Sequence, residues 1–144
     1  MDKHSLIGTY QLVSWENRAA SGQTTHPLGP DAQGLINYSQ DGYMFVQIMA
    51  SHRRPHAVNE LFAGDIDEIK RSAITHLSYC GRFELQGNEV IHHVQICSFP
   101  NWVNTEQRRA FKFNDGQLHL TAFGIQSGGE TVDAHLVWRR VAAQ

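Results

Sequence analysis

Cysteine is scarce in this sequence, and long hydrophobic runs are missing. The 144 residues include two cysteines, Cys80 and Cys97, at a spacing that fits neither a metal site nor a redox pair. We expect two free thiols in a reducing cytoplasm, with a disulfide between neighbouring strands as the alternative. The first residues, MDKHSLIGTY, hold no apolar run that would serve as a signal peptide, and no stretch approaches transmembrane length. These absences predict a cytoplasmic protein.

An excess of charge of one sign is missing as well. The formal net charge is -2, and the basic residues are scattered apart from a few adjacent arginine pairs. This balance argues against nucleic acid or a membrane surface as the partner. The hydrophobic and charged contents, 41% and 18%, are typical of a globular chain. We expect a single domain over residues 1–144, and leave open whether two copies form a homodimer.

Motifs that mark known catalytic centres are absent too. The sequence has no Gly-x-Ser-x-Gly, no glycine loop of the kind that cradles phosphate, and no His-Glu motif on a helix. The nine histidines do not form the spaced cluster that zinc requires. Adjacent His92 and His93 point to opposite faces of a strand and would not chelate one ion together. We predict no metal and no cofactor.

A two-residue rhythm of apolar side chains runs through most of the chain. It predicts about eight short strands in hairpin order, joined by turns such as Ser39-Gln40-Asp41-Gly42. In the first strand, 6–17, the alternation places Tyr10, Leu12, Ser14 and Glu16 on one face, and Val13 and Trp15 on the other. If the strands close into a barrel, Glu16 would then be an inward-facing carboxylate near its mouth; otherwise it would be a solvated carboxylate at the strand end.

In one segment the spacing of the apolar side chains changes from two residues to three or four. From Asp65, a helix cap, Ile66, Ile69, Ala73 and Leu77 recur every three to four residues and predict one helix of about three turns. Many short strands with tight turns favour a closed antiparallel barrel over a sandwich, because closure removes exposed sheet edges.

The stretch 89–113 carries the main candidate site. It predicts two strands that place His92, Gln107 and Arg109 on one face with Val90, Val94, Ile96, Phe111 and Phe113. Arginine offers a planar fork of donors and histidine exchanges a proton near neutral pH, so this patch would hold a carboxylate, carbonyl or phenolate. The alternative is a hydrogen-bonded network that only fixes strand register. A one-residue shift would turn His93 and Gln95 inward instead.

Further candidates surround this patch. Tyr10, Tyr38 and Tyr79 would orient a ligand through their hydroxyls, or would be ordinary core. The loop with Pro100 and Trp102 would be either a rim that closes over a ligand or a structural plug. The apolar walls are predicted to come from Leu12, Met44, Val46, Val94, Ile96, Phe111, Leu120 and Leu136.

Five stretches in order resemble the lipocalin-like domain family. They are LIGTYQLVS, THPLGPDAQG, YSQDGYMFVQIM, LSYCGRFEL and HHVQICSFPNWVNTEQRRAF. The resemblance as a whole spans Leu6 to about Arg140. Gly8-Thr9-Tyr10 lies where lipocalins carry Gly-x-Trp, and Trp138 and Arg140 are placed as in their closing strand. The resemblance implies an all-β protein, a closed antiparallel up-and-down β-barrel of eight to ten strands with one short α-helix.

Three functions fit these expectations. The first is binding of a small hydrophobic or aromatic molecule with a polar or anionic end, held by His92, Gln107, Arg109, Tyr79, Tyr38, Trp102, Met44 and Phe111. The second is an isomerase, cyclase or lyase in the same cavity, with His92 moving a proton and Arg109 stabilising an oxyanion. The third is a structural or interaction barrel filled by its own side chains. Replacing His92 by Gln would spare binding but abolish turnover in an enzyme.

Overall fold

A computed structural model of the chain describes residues 3–142. Most of these residues lie in strands. The strands are β1 (Gly8–Ala19), β2 (Thr24–Thr25), β3 (Gln33–Tyr38), β4 (Tyr43–Met49), β5 (His76–Gln86), β6 (Glu89–Cys97), β7 (Glu106–Asn114), β8 (Gln117–Ser127) and β9 (Glu130–Arg140). The helices are α1 (Lys3–Leu6) and α2 (Ile66–Ile74), and a 3-10 helix (Pro100–Trp102) lies between β6 and β7.

The strands form one antiparallel sheet that closes on itself. From β3 to β9 each strand pairs with the next in the chain, while β1 pairs with both β3 and β9. Eight strands therefore make an up-and-down barrel, and β2 is a short additional partner of β1. Closure satisfies the strand edges that an open sheet of this length would expose. The predicted fold class is confirmed.

The barrel interior is filled by every second side chain of each strand. In β4, for example, Met44, Val46 and Ile48 are buried, while Phe45 and Gln47 between them are exposed. This alternation is the direct result of the two-residue repeat of an extended chain. The same repeat carries polar side chains into the interior wherever the sequence places them in phase.

A β-bulge in β1 corrects the predicted faces of the first strand. The pairing with β9 moves from Leu12–Trp138 to Ser14–Val137, so Val13 is an extra residue. An extra residue reverses the direction of the side chains that follow it. Trp15, predicted to face outward, therefore lines the interior. Glu16 does not share the Tyr10 face and instead forms an ion pair with Arg18 at 2.6 Å.

A second bulge lies between β5 and β6. Cys80 pairs with Ile96, whereas the next residue, Gly81, pairs with Val94, so Gln95 is unmatched. As a result Val94 is buried, but Ile96 is 69% exposed. The prediction that Ile96 belongs to the inner wall is wrong for this reason. Cys97 packs against the core in its place.

The N-terminal segment closes one end of the barrel. Leu6 is fully buried, and the Tyr10 hydroxyl donates to its carbonyl at 2.9 Å. Arg140 at the end of β9 donates to the carbonyls of Ile7 at 2.7 Å and Ser5 at 2.9 Å. Its guanidinium carbon lies 4.7 Å from the centroid of the Tyr10 ring, a cation–π contact. These contacts tie the first strand to the last.

The helix α2 begins as predicted, with Asp65 as its N-cap. The Asp65 carboxylate accepts from the Glu68 amide at 2.8 Å, and the Glu68 carboxylate accepts from the Asp65 amide at 3.1 Å. This reciprocal pair is a capping box, which satisfies two amides at the helix start. The helix is nine residues long and buries none of its side chains. It lies outside the barrel, whose end opposite α1 also carries the 3-10 helix.

Candidate functional site

A small cavity lies inside the barrel on the side of the 3-10 helix. Its volume is about 50 Å³, and apolar side chains make up most of its lining. The titratable groups that line it are Tyr79, His92 and Arg109, and three tryptophans, Trp15, Trp102 and Trp138, complete its wall. A cavity of this size holds a few water molecules, and is far below the roughly 300–1,000 Å³ of ordinary ligand pockets. Any larger guest therefore requires side chains to move.

His92 lies at the centre of a buried hydrogen-bonded chain. It is the middle residue of the inward-facing series Val90, His92 and Val94, and it is 1% exposed. Its Nε2 is 2.7 Å from the hydroxyl of Tyr38, and its Nδ1 is 2.8 Å from the hydroxyl of Tyr79. Both ring nitrogens thus have a phenol partner, which fixes the imidazole across the interior.

Burial sets the protonation of these three groups. It lowers the pKa of His92 well below 6.5, and the charges of Arg109 and His93 act in the same direction. Burial likewise raises the pKa of Tyr38 well above 10.0 and the pKa of Tyr79 above that value, although the Arg109 charge opposes both shifts. At neutral pH the chain Tyr38–His92–Tyr79 is therefore uncharged.

Arg109 brings a positive charge to the edge of this neutral chain. The residue is 9% exposed, and its Nη1 donates to the Arg108 carbonyl at 2.9 Å. No carboxylate among residues 3–142 forms an ion pair with it. A buried charge without a counter-ion is costly, so its presence beside a cavity indicates a place for an anionic or strongly accepting group.

Trp102 covers the cavity from the 3-10 helix. Its ring centroid lies 5.7 Å from that of Tyr79, with the two planes at 79°. Phe99 also packs against it, with a centroid separation of 6.0 Å. The Trp102 carbonyl accepts from the Thr105 hydroxyl at 2.6 Å, which holds the turn in place. The indole is only partly buried, so it forms the outer wall of the cavity.

The other predicted site residues lie away from this cavity. Gln107 pairs with His92 in register, but its side chain donates to the Thr105 hydroxyl at 2.9 Å. Met44 and Phe111 are packed in the core, and Tyr38 reaches the site only through His92. Neighbouring His93 is partly exposed and lies 2.9 Å from Glu84 on the outside. The interior thus receives His92, not His93.

Sequence reasoning missed several of the lining residues, and three of them show why. Trp15 was assigned to the wrong face because the bulge at Val13 has no clear sequence mark, and a similar irregularity between Ala122 and Ile125 hides Ile125. Trp138 was noted only for its position in the last strand. It is 1% exposed, and its Nε1 is the one buried side-chain nitrogen or oxygen without a hydrogen-bond partner in the described part of the chain. An aromatic repeat facing inward is the signal that would have found it.

A larger groove of about 670 Å³ lies on the outer surface. Most of its walls are exposed side chains of β1, β3 and β4 that point away from the interior, such as Val13, Leu35 and Gln47. Its two titratable groups, Asp31 and His76, come from the ends of neighbouring elements. Among residues 3–142, no buried polar side chain lines this groove, so the interior cavity is the better candidate despite its smaller volume.

Three further features bear on the kind of site. Within residues 3–142, no three His, Cys, Asp or Glu side chains come close enough to hold a metal ion. Cys80 and Cys97 are free thiols. No helix in this described region is long and apolar enough to span a membrane.

The closed barrel with an interior polar group defines the class of protein to which this chain belongs. Residues 7–141 match the lipocalin-like domain family, and the chain is a member of that family. It is 29% identical over 107 residues to a protein of Aspergillus oryzae named 4'-hydroxy-3'-methoxypropiophenone carrier protein. The match covers 68% of this chain and 96% of the relative. No solved structure matches the chain.

Proposed function

We propose that this protein binds a small, largely apolar aromatic molecule inside the barrel and holds the molecule's polar or anionic end at Arg109 and Tyr79. The observation that carries the proposal is the buried guanidinium of Arg109, which lies at the cavity wall without a carboxylate partner in residues 3–142. A ligand oxygen placed there would receive charge-assisted hydrogen bonds, the strong kind in proteins.

The rest of the cavity suits an aromatic body. Trp15, Trp102, Trp138 and aliphatic side chains supply apolar surface, and stacked or edge-on ring contacts add to burial. The relative from Aspergillus oryzae supports this choice, because the compound in its name combines an aromatic ring with ketone, hydroxyl and methoxy oxygens. The proposed ligand is a molecule of this kind, such as an aryl ketone or a phenol.

The small volume of the cavity requires an opening step. Room for an aromatic ring arises when Trp102 swings away from Tyr79 and Arg109, because its turn lies at the barrel end and its indole is partly exposed. The existing space of about 50 Å³ then receives the polar end of the ligand. Lid movements of this kind are common for loops at a barrel mouth.

Binding without chemistry accounts for His92 better than catalysis does. Both ring nitrogens are already engaged by tyrosine hydroxyls, at 2.7 and 2.8 Å. A general base must reach the proton it removes, and neither nitrogen is free to do so. The unpaired Arg109 also argues against a purely structural barrel, since a filled core gains nothing from an isolated charge.

The proposal is tested by finding the ligand. Native mass spectrometry of protein purified from its own host would detect a retained small molecule, and a thermal-shift screen of aryl ketones, phenols and aromatic carboxylates would identify the class. We expect stabilisation by aromatic compounds that carry an accepting oxygen. Arg109→Ala should abolish the stabilisation, whereas Arg108→Ala, on the same strand but exposed, should retain it. Equal loss in both variants, or no shift with any compound, would contradict the proposal.

A further inference from the structure

The hydrogen-bonded chain Tyr38–His92–Tyr79 restricts where the imidazole proton lies. A neutral imidazole carries one N–H donor and one bare nitrogen acceptor. The two phenol contacts, 2.7 Å at Nε2 and 2.8 Å at Nδ1, must therefore run in the same sense along the chain. Either Tyr38 donates to Nε2 and Nδ1–H donates to Tyr79, or both bonds are reversed.

Tyr38 decides between the two arrangements. Tyr38 is fully buried, and His92 is the one hydrogen-bond partner of its hydroxyl within residues 3–142. If Nε2 carried the proton, the Tyr38 oxygen would accept it, and the Tyr38 hydroxyl proton would be buried without an acceptor. If Nε2 is bare, Tyr38 donates to it, and the hydroxyl proton left over is that of Tyr79, which lines the cavity, where water or a ligand can accept it. Buried unsatisfied donors are rare because desolvation is not repaid, so the arrangement with Tyr38 donating to a bare Nε2 is the stable one.

This position of the imidazole proton determines whether the hydroxyl of Tyr79, which lines the cavity, is free to donate. With the proton on Nδ1, the Tyr79 oxygen accepts from His92, and the Arg109 guanidinium lies on the same cavity wall. Its own hydroxyl proton is then free to point into the cavity. Beside it lie the N–H groups of Arg109, and the same wall includes Trp138, whose Nε1–H has no partner in the described residues. The polar groups of this cavity that are free to bind a guest are all donors.

We infer that His92 is protonated on Nδ1 and that Tyr79 is thereby a specificity-determining donor, so that the cavity selects ligands whose polar end only accepts hydrogen bonds. A ketone carbonyl, a phenolate or a carboxylate meets this requirement. An ammonium group does not, because its donors and its charge would face Arg109. This inference rests on the proposed function for its ligand, but the position of the proton does not depend on any ligand.

The first test determines which ring nitrogen of His92 carries the proton. In ligand-free protein labelled with ¹⁵N-histidine, with the His92 signals assigned by their loss in His92→Gln, nitrogen shifts distinguish a protonated from a bare ring nitrogen. We expect a protonated Nδ1 and a bare Nε2. A protonated Nε2 would overturn the inference while leaving the proposed function standing.

The second test compares matched ligands. An aryl ketone, the hydrocarbon that lacks the carbonyl oxygen and the corresponding benzylic ammonium are titrated by calorimetry. We expect the ketone to bind at least about tenfold more tightly than the ammonium, and Tyr79→Phe to cost the ketone about tenfold and the hydrocarbon nothing. Tyr43→Phe, an exposed tyrosine on β4, serves as the matched control. A merely structural Tyr79 would weaken ketone and hydrocarbon alike.

Failure of the proposed selectivity and failure of the proposed function give different experimental results. If the ketone binds but Tyr79→Phe leaves its affinity unchanged, or the ammonium binds equally well, the selectivity is refuted and the proposed function remains. If no aromatic compound binds the wild-type protein, the proposed function and the selectivity fall together. The nitrogen shifts then decide the position of the His92 proton alone.

Discussion

The guanidinium carbon of Arg109 lies 5.7 Å from the centroid of the Trp102 ring. This cation–π contact joins the buried cation of β7 to the aromatic side chain that covers the cavity. In the absence of a ligand the indole is the partner of Arg109, so a ligand with an accepting oxygen competes with the indole for the same cation. The contact therefore couples the proposed anchor of the ligand to the proposed lid.

Removal of the lid should speed ligand entry. In Trp102→Ala the cavity is open from the start, whereas the wild-type protein binds only in its open fraction. We expect a larger association rate constant for an aryl ketone, measured by stopped-flow fluorescence. Phe123→Ala, which removes an exposed aromatic ring of β8, should leave the rate unchanged. An unchanged association rate with faster dissociation would show that Trp102 is a fixed wall.

Arg109 should stabilise the complex with the ligand but destabilise the ligand-free protein. Replacing a buried charge that lacks a counter-ion by an apolar side chain of similar length removes its desolvation penalty. We expect Arg109→Met to raise the free energy of unfolding of the ligand-free protein by roughly 1 kcal/mol or more. Arg108→Met, which loses exposed ion pairs and an exposed hydrogen bond to Gln86, should change it by less than about 0.5 kcal/mol. Urea denaturation measures both, and destabilisation by Arg109→Met would indicate a structural role.

Stability should fall as the pH drops below about 6.5, the ordinary pKa of histidine. Burial lowers the pKa of His92 in the folded protein, so below that pH the unfolded chain binds a proton that the folded chain does not. The free energy of unfolding is lost from about pH 6.5 down to the lowered folded pKa, at up to about 1.4 kcal/mol per pH unit. Urea denaturation between pH 7 and pH 5 measures this slope.

The His92→Gln variant should flatten that dependence. Part of the slope should remain, because burial also lowers the pKa of His76 and of His135, although both are more exposed. His52→Gln, at an exposed loop position, serves as the control for the loss of an imidazole outside the barrel. Equal slopes for wild type and His92→Gln would mean that His92 titrates alike in the folded and unfolded states.

Gly81 should tolerate no side chain. A Cβ atom placed there would clash with the backbone oxygen of His93, across the bulge that sets the direction of β6. Because the obstacle is backbone, relief requires the strands to part, and we expect Gly81→Ala to cost at least about 2 kcal/mol of stability. Gly87→Ala, where a Cβ meets nothing within 4 Å but φ is +60°, should cost about 1 kcal/mol. Thermal unfolding separates the two.

The sequence predicted the barrel because its strands repeat with the two-residue period of a pleated chain. Inward series such as Met44, Val46 and Ile48 are explicit in that repeat, and so is the cap at Asp65. The bulges are not, because neither extra residue, Val13 or Gln95, is of a type that marks a bulge in the sequence. Their effect on direction reversed Trp15 and Ile96, while His92 lies before the bulge in its own strand and kept its predicted direction.

The candidate site was predictable only in outline. Neighbouring β6 and β7 bring His92 and Arg109 together at short range, and both were identified from the sequence. Tyr38 comes from β3, several strands away across the interior, and its contact with His92 depends on how far the barrel curls. The size of the cavity also could not be inferred, because it is the small difference between the barrel volume and the side chains that fill it.

The most direct test of the account is a crystal structure of the protein with an aryl ketone or phenol selected by the binding screen. We predict density for the ligand inside the barrel, with its accepting oxygen within hydrogen-bond distance of Tyr79 and Arg109 and with Trp102 displaced. Density in the outer groove beside Val13 and Leu35, with the interior side chains unmoved, would contradict the central claim.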